Sequence, residues 1–329
     1  MKFKYKKLIV GFGPVSSFIR WIRNVRFRNH EDVSLYKIAK IFLKNLQDDE
    51  VMDRANGVAF NFILAIFPTI IFLFTLIPFV STYFPEVNTE SIMSFFSELI
   101  PKSMYDVTAA TVLDIVSNQR GGLLTLGFVF AMYLSTNGMM ALMRAFNACY
   151  KTIENRSGLK TRFIATALTF NMAIVLFLAI ILLVVGEFVL DYLLSYRIEW
   201  FDIDAYTVQL LFVLRFFVIF IVFLLTISTI YYFGPSIHYN WRFFSVGSIV
   251  ATLLILGVSY GFSYYVTNFG TYNKVYGSIG VMIAMMVYIQ LITVVLLIGY
   301  EINASIHEAI RAEALWKARK YRLNQAVKV

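Results

Sequence analysis

Residues 57–80 read GVAFNFILAIFPTIIFLFTLIPFV, a stretch of 24 residues without a charged side chain. A helix needs about 20 apolar residues to cross the roughly 30 Å of hydrocarbon in a bilayer. Backbone polar groups find no water in lipid, so a segment of this length satisfies its own hydrogen bonds as a helix. The stretch therefore predicts a membrane-spanning helix.

Five further runs of the same kind follow, each of 23 to 28 residues with at most one formal charge. With the first, they lie at residues 57–80, 121–143, 163–190, 206–233, 243–267 and 275–302. Of all 329 residues, 59% are hydrophobic and only 15% are charged, where soluble domains carry about 25% charged residues. The sequence predicts an all-α integral membrane protein with six transmembrane helices and excludes a soluble globule.

The 29 Lys and Arg residues are distributed unevenly between the segments that connect these runs. Twenty-four lie in the amino-terminal segment, the 144–162 and 234–242 loops and the tail after residue 302, and four lie in the other three connections. Cytoplasmic loops hold the excess of positive charge. Both termini are therefore predicted to be cytoplasmic. The net charge of +9 then reflects topology and attraction to anionic lipid, and no nucleic-acid partner is expected.

These boundaries predict one membrane domain with a basic segment at each end. Residues 1–54 form a cytoplasmic basic arm, residues 55–302 the six-helix domain and residues 303–329 a cytoplasmic basic tail. The single cysteine, Cys149, permits no internal disulfide and is interpreted as a small packing residue.

Two segments outside the apolar runs, the amino-terminal arm and the longest outer connection, have apolar residues at helical spacing. In the arm, Leu35, Ile38 and Phe42 alternate with lysines, which predicts an amphipathic helix lying in the membrane interface. The longest outer connection, residues 86–120, carries two shorter periodic stretches. Short helices that cap the bundle, or simply connect two spans, are expected there.

The sequence contains no group of residues that indicates a catalytic site. His30, His238 and His307 lie far apart, and their neighbouring carboxylates are not at a spacing that shares a helix face. Neither a metal site nor a Gly-rich phosphate loop is predicted, so no cofactor is expected. The string GVSYG at residues 257–261 matches a nucleophile elbow, but that motif requires a strand-to-helix turn and this copy lies inside an apolar run. We expect no catalytic residues and no enzyme activity.

The polar residues inside the runs are the candidates for substrate binding, because such residues are costly in lipid and face a bundle interior or a wet cavity. Arg215 lies roughly 13 Å from the outer end of its run, and Glu187 on the preceding run is its expected partner. A structural ion pair and an anion-binding role for Arg215 both remain open. The other candidates are Asn137, Asn171 and Gln290 within the runs, and Arg144 and Arg156 near the cytoplasmic surface.

Glycine and proline positions predict where helices touch or bend. Gly257 and Gly261 form a small-xxx-small pair that permits close approach of another helix. Pro68 interrupts the first run near its middle and frees a backbone carbonyl. The glycines of residues 276–280, at the start of the last run, permit either tight helix contact or a cavity lined by backbone.

The carboxy-terminal third carries the elements of a family motif. The first is VYGSIG at residues 275–280 and the second is LIGYEIN at residues 297–303. Together with residues 262–272, Arg54-Ala55, the 145–156 loop, and Pro235 with Trp241, they resemble the YihY/BrkB family of bacterial inner-membrane proteins over about residues 38–310. The motif positions are Tyr276, Gly277, Ser278, Gly280, Glu301 and Asn303.

This resemblance implies a six-helix protein of the bacterial inner membrane. Members have carried the label of a ribonuclease, but the sequence lacks the clustered His, Asp and Glu residues that phosphodiester cleavage requires, and we reject that activity. Some members are thought to act in export or movement of lipids. Membrane lipids are accordingly the expected partners.

Three functions compete. The first, which we favour, is movement of a lipid or another anionic amphipath across or within the membrane. The arginines that would receive its headgroup near the cytoplasmic surface are Arg54, Arg144, Arg156 and Arg162. The second is a non-catalytic scaffold, a partner subunit of an envelope assembly or a homo-oligomer, with residues 86–120 as the contact surface. The third is a membrane enzyme in which Ser259 lines a wet cavity beside a base. A polar groove open to lipid would favour the first, and a dry bundle with an apolar outer patch the second.

Overall fold

The computed structural model is helical almost throughout the residues that it describes, which are 26–27, 33–48, 51–82, 93, 102–150, 152, 154–195, 205–236, 242–268 and 278–326. Most of their side chains are described too, with residues 179–195, 205–212 and 215 among the exceptions. The helices in this part of the chain are α1 (Leu35–Asp48), α2 (Val51–Val80), α3 (Lys102–Ser117), α4 (Gly121–Cys149), α5 (Gly158–Ser195), α6 (Ala205–Phe233), α7 (Val246–Asn268) and α8 (Ser278–Ala326). A short antiparallel ladder pairs β1 (Arg26–Phe27) with β2 (Val33–Ser34).

Five helices of the described residues are long and apolar enough to cross a membrane. They are α2, α4, residues 216–233 of α6, residues 246–266 of α7 and residues 282–321 of α8. The all-α membrane architecture is therefore confirmed. The third apolar run, residues 163–190, lies within the 38 residues of α5, but much of it falls outside the described side chains, so the six-span count stays a prediction.

The helices that hold the six apolar runs pack side by side in a closed ring. In the described residues, each contacts its two neighbours in the order α2, α4, α5, α6, α7 and α8, and α8 contacts α2 again. The last helix also contacts α4 and α1. It therefore packs against helices beyond its two neighbours in the ring, α7 and α2.

The apolar outer faces of these helices are exposed in the protein by itself. The exposed fractions are 59% for Phe60 on α2, 54% for Val129 on α4 and 58% for Phe217 on α6. Soluble proteins rarely leave large apolar patches open to water, whereas hydrocarbon is the natural surrounding for such a belt.

Close packing of α2 on α4 depends on two glycines. A Cβ atom at Gly138 would lie 2.8 Å from the ring of Phe62, and one at Gly127 would lie 3.2 Å from the backbone of Phe72. Because the residue numbers rise on one helix as they fall on the other, the two helices are antiparallel. The helix α2 runs through Pro68 as one continuous element.

The helices α7 and α8 touch at a different pair of glycines from the one that the sequence suggests. In the described part of the chain, no atom lies within 4 Å of a Cβ built on Gly257 or on Gly261, so the close approach predicted there is wrong for these residues. Instead a Cβ at Gly247 would collide with the carbonyl oxygen of Gly299, and one at Gly299 would lie 2.6 Å from Cβ of Ala251. The close backbone contact found at these glycines therefore lies near the start of α7.

That end, at which α2, α5 and α7 begin and α4 and α6 finish, is called the basic end here. It corresponds to the side that charge predicts to be cytoplasmic. The largest fully buried side chains lie on the parts of α4, α6 and α8 that meet there, among them Phe146, Tyr231 and Tyr300. Within the described side chains, the core is thus concentrated at the basic end.

The predicted amphipathic helix in the arm is present as α1. Its Ile38 is buried against Ala309 of α8, and Nζ of Lys37 lies 2.7 Å from a carboxylate oxygen of Glu313. Protein rather than lipid thus covers part of the apolar face that the sequence assigns to the membrane interface, while Leu43 stays 58% exposed. The helix α8 continues through residue 302, so the division between membrane domain and tail falls inside one helix.

One of the short helices expected in the outer connection is present as α3. Arg120, which follows it, pairs with the carboxylate of Asp114 at 2.6 Å, and Gln119 donates to the carbonyl of Pro78 at 3.2 Å. The expected helix before it lies outside the described residues apart from residue 93.

Candidate functional site

A buried carboxylate joins the amino-terminal helix to the last helix at the basic end. Glu301 of α8 has no exposed surface, and its Oε1 accepts a hydrogen bond of 2.9 Å from Nδ2 of Asn45 on α1. The same nitrogen donates to Oε2 of Glu308 at 3.2 Å, and the Ser305 hydroxyl donates to Glu301 at 3.4 Å. Because a buried charge without hydrogen-bond partners is strongly destabilising, these donors allow Glu301 to lie inside the protein.

The next polar residue of the motif, Asn303, fixes the start of α7. Its Oδ1 accepts from the backbone nitrogen of Gly247 at 2.8 Å, and its Nδ2 donates to Oγ of Ser245 at 2.8 Å. Ser245 and Ser248 exchange two backbone-to-hydroxyl bonds of 3.1 Å, which is the reciprocal arrangement of a capping box. The last helix therefore satisfies an N–H group that α7 leaves unpaired in its first turn.

Three aromatic rings connect α4, α6 and α8 beside these polar contacts. Tyr300 stacks on Phe146 with centroids 4.2 Å apart and meets Tyr231 edge-on at 5.3 Å. The hydroxyl of Tyr231 donates to the carbonyl of Leu296 at 2.6 Å. A Cβ at Gly299 would lie only 2.6 Å from that hydroxyl, so the hydrogen bond depends on the glycine.

The loop between α4 and α5 is closed by an ion pair. Arg156 donates from Nε and Nη2 to the two carboxylate oxygens of Glu154 at 2.7 and 2.8 Å, and from Nη2 to the carbonyl of Gly234 at 2.7 Å. Asn147 donates to Glu154 at 2.9 Å and accepts from the backbone nitrogen of Ser236 at 2.8 Å. Hydrogen bonds from Arg156 lower the pKa of Glu154, against the opposing effect of burial. The guanidinium of Arg156, a candidate for substrate binding, is thus already used within the protein.

A second arginine from the same loop region holds α5 against α4. Nη1 of Arg162 donates to Oδ1 of Asn137 at 2.5 Å, and the guanidinium lies 4.4 Å from the ring centroid of Tyr133. This contact brings together two residues that the sequence proposes for binding. It also satisfies them, since the amide oxygen and the cation are each other's partners.

The remaining candidates differ in their surroundings. Gln290 donates to Oδ1 of Asn56 at 2.8 Å in an exposed position that joins α8 to α2. Oδ1 of Asn171 and Nη1 of Arg54 are buried without a hydrogen-bond partner in the described residues. Arg144 on α4 is exposed, and among the described residues it forms no hydrogen bond or ion pair.

The predicted pair of Arg215 and Glu187 stays a prediction. Both residues belong to helices, α6 and α5, that pack against each other. Their side chains lie outside the described residues. In the family motif, Tyr276 and Gly277 likewise lie outside them, and Gly280 is buried in the first turn of α8.

The hydroxyl of Ser259 is 2.9 Å from the hydroxyl of Tyr288. An activated serine requires a general base such as His, Asp or Glu in that position, and here its partner is a second hydroxyl. Within the described part of the chain, no group of three or more His, Cys, Asp or Glu residues is placed to hold a metal ion.

Sequence reasoning missed the two residues that organise the basic end. Glu154 lies in the 145–156 loop, for which the sequence indicates only a family resemblance, and Asn45 is not among the candidates. A signal for Asn45 was present, since it follows Ile38 and Phe42 on the apolar stripe of α1, where a polar residue is out of place. Such a residue in an apolar stripe indicates a polar partner on the facing helix.

A ring of membrane-length helices, tied at one end by buried polar and aromatic contacts, defines a multi-pass helical membrane protein. The family model described as virulence factor BrkB matches residues 42–323, and the chain belongs to that family. The resemblance noted from the motifs is thereby confirmed.

Relatives from several bacteria align along most of the chain. A ribonuclease-like protein of Bacillus subtilis, YfkH, is 30% identical over 79% of this chain and 91% of its own length. A UPF0761 membrane protein of Alteromonas mediterranea is 26% identical over 86% of this chain and 92% of its own, and one of Coxiella burnetii is 26% identical over 81% and 91%. No solved structure gives a significant match.

Proposed function

We propose that this protein binds an anionic lipid, or another anionic amphipath, at the basic end of its bundle and moves it across or within the bacterial inner membrane. The observation that carries the proposal is the exposed Arg144, which has no partner among the described residues. It lies five residues before the last residue of α4, or about 7.5 Å along the axis. A long cationic side chain at that depth reaches the phosphate groups of the bilayer.

Two other arginines of the 144–162 region are less available. Arg156 is held by Glu154 and Gly234, and Arg162 by Asn137. An anionic headgroup would have to break these bonds to bind either cation. Arg144 is therefore a better candidate than Arg156 or Arg162 for its recognition.

Reconstituted vesicles containing a fluorescent anionic phospholipid or a fluorescent neutral one test the proposal. Arg144→Gln is expected to slow transfer of the anionic lipid between leaflets at least several-fold and to leave the neutral lipid unchanged. Lys160→Gln is the matched control, because Lys160 is an exposed cation in the first turn of α5. Equal transfer of the anionic lipid by wild type and Arg144→Gln would contradict the role of Arg144.

The scaffold alternative has an observation of its own. The part of α8 beyond residue 313 exposes Leu315, Trp316 and Leu323, at 64%, 56% and 58%. Such an apolar set is suited to contact with a second chain. Lipid transfer no faster than in protein-free vesicles, together with a change of oligomeric state in Leu315→Asp, would favour this alternative.

A further inference from the structure

A groove of about 420 Å³ lies between α7 and α8, toward the end of the bundle opposite the basic end. Val258, Gly261 and Phe262 line it from α7, and Ile283, Ala284 and Val287 from α8. The two helices are in backbone contact at Gly247 and Gly299, and toward the other end the ring of Phe262 on α7 lies 5.0 Å from that of Tyr288 on α8. The groove lies along the same stretch of the two helices as this second contact.

Small residues keep the groove empty of protein. A Cβ built on Gly261 meets no atom within 4 Å, and Ala284 presents only a methyl group from the other wall. The hydroxyls of Ser259 and Tyr288 near it bond to each other at 2.9 Å. Apart from Tyr265, whose side chain also carries a hydroxyl, the lining therefore offers apolar contact rather than donors and acceptors for a headgroup.

The surroundings of the groove are those of a membrane-facing surface. On its two helices, Tyr260 and Tyr264 are 78% and 62% exposed, and Met282 and Met285 are 46% and 42% exposed. From Ile283 to Leu291 the wall is about 12 Å long, a little less than half of the roughly 30 Å of hydrocarbon. The groove consequently fits within one leaflet.

We propose that this groove binds one acyl chain of a membrane phospholipid, in the leaflet opposite the basic end. Its volume is in the range of ligand pockets, and its apolar walls match a hydrocarbon chain. The inference rests on the proposed function and adds the site for the tail, whereas the cations of the basic end concern the headgroup. Both lie in the same bundle, on opposite sides of the bilayer midplane.

Photo-crosslinking tests the proposal without a transport assay. The full-length protein is reconstituted with a phospholipid that carries a diazirine in one acyl chain, irradiated and digested, and the labelled peptides are identified by mass spectrometry. Label is expected to concentrate on the 258–265 and 283–291 segments, for anionic and neutral phospholipids alike. Gly261→Leu and Ala284→Phe, which fill the groove from opposite walls, should each lower it there several-fold.

Gly257→Leu is the matched control. It makes the same change one turn away, where a Cβ also meets nothing within 4 Å, and its side chain leans toward the start of α7 and away from the groove. Labelling spread evenly over all lipid-facing helices, or unchanged in both groove variants, would show only bulk lipid contact and overturn the proposal. Concentrated labelling without lipid transfer by wild type would leave the groove as a lipid site and refute the transport function alone.

Discussion

At the scale of single residues, the motif at positions 299–303 is a set of contacts to different helices. Gly299 lets α7 approach, Tyr300 packs on α4 and α6, and Glu301 accepts from α1. Asn303 caps α7. Successive side chains of a helix point about 100° apart, so a short segment at the centre of a bundle meets several neighbours at once. The motif therefore serves assembly of the bundle, and a substrate site need not include it.

Replacing Asn45 tests the buried carboxylate. Asn45→Leu removes the amide that donates to Glu301 and is expected to lower the free energy of unfolding by about 1–3 kcal/mol, because a buried acceptor loses its partner. Thermal unfolding in detergent measures it. Asn118→Leu, at an exposed asparagine, is the control and should have little effect. Adding Glu301→Gln to Asn45→Leu should restore part of the loss, and failure to do so would contradict desolvation as the cause.

The contact between α7 and α8 is tested by two identical substitutions. Gly299→Ala places a methyl group 2.6 Å from Tyr231 Oη and from Ala251 Cβ, so we expect it to destabilise the protein by about 1–3 kcal/mol. Gly257→Ala meets nothing within 4 Å and should be neutral or slightly stabilising, since alanine favours the helix. Equal unfolding midpoints for the two variants would refute the assigned contact.

At the scale of elements, loops and helix ends at the basic end are joined by side chains in addition to backbone bonds such as that from Thr152 to Asn147. Glu154 and Arg156 link the 150–157 loop to the end of α6, and Asn147 links it to the end of α4. Helix ends leave carbonyl and N–H groups unpaired, and here a guanidinium and an amide bind several of them. The loop is thereby part of the folded core and not merely a connection.

The pH dependence of stability is expected to reveal the ion pair in this loop. The pKa of Glu154 is lowered in the folded state, so its contribution is full above the ordinary glutamate value of 4.5 and is lost as pH falls through the lowered pKa. Glu154→Gln should be less stable than wild type at about pH 7, and the difference should shrink below about pH 4.5. Unfolding curves across this range measure it; a difference that stays constant would contradict the assignment.

At the scale of the whole molecule, most of the largest fully buried side chains of the described residues lie at one end of the ring, and the groove between α7 and α8 lies toward the other. The first of these ends also carries the basic loops. The two proposed sites, for the headgroup and for the acyl chain, thus lie toward opposite ends of the ring, and the charges predict that the basic end is cytoplasmic.

Reporter cysteines test that orientation. After Cys149→Ala, which removes the buried thiol, Ser117→Cys and Asn324→Cys are introduced one at a time at exposed positions. A membrane-impermeant thiol reagent should label position 117 from outside spheroplasts and label position 324 only after lysis. Labelling of position 324 in intact spheroplasts would reverse the predicted topology.

The sequence by itself determined the class of structure. In lipid, an apolar run of more than 20 residues can only be a helix. The charged residues on either side of each run indicate where that helix enters and leaves the membrane. The stripe of Leu35, Ile38 and Phe42 likewise predicted α1, and the motifs indicated the family. These features depend on local composition, so they can be predicted from the sequence without knowledge of the tertiary contacts.

Only the tertiary structure decided which residues meet. Gly257 and Gly261 have the spacing of a helix contact, yet the contact lies at Gly247 and Gly299. All four glycines are on apolar helices, and their spacing does not show which helix each of them faces. Similarly, Arg144 and Arg156 are equivalent in sequence, but one is exposed and the other is bound by Glu154. Lipid solvates every apolar helix face equally well, so the apolar sequence of a face does not select its partner. Which helix packs on it depends on how all six helices pack together.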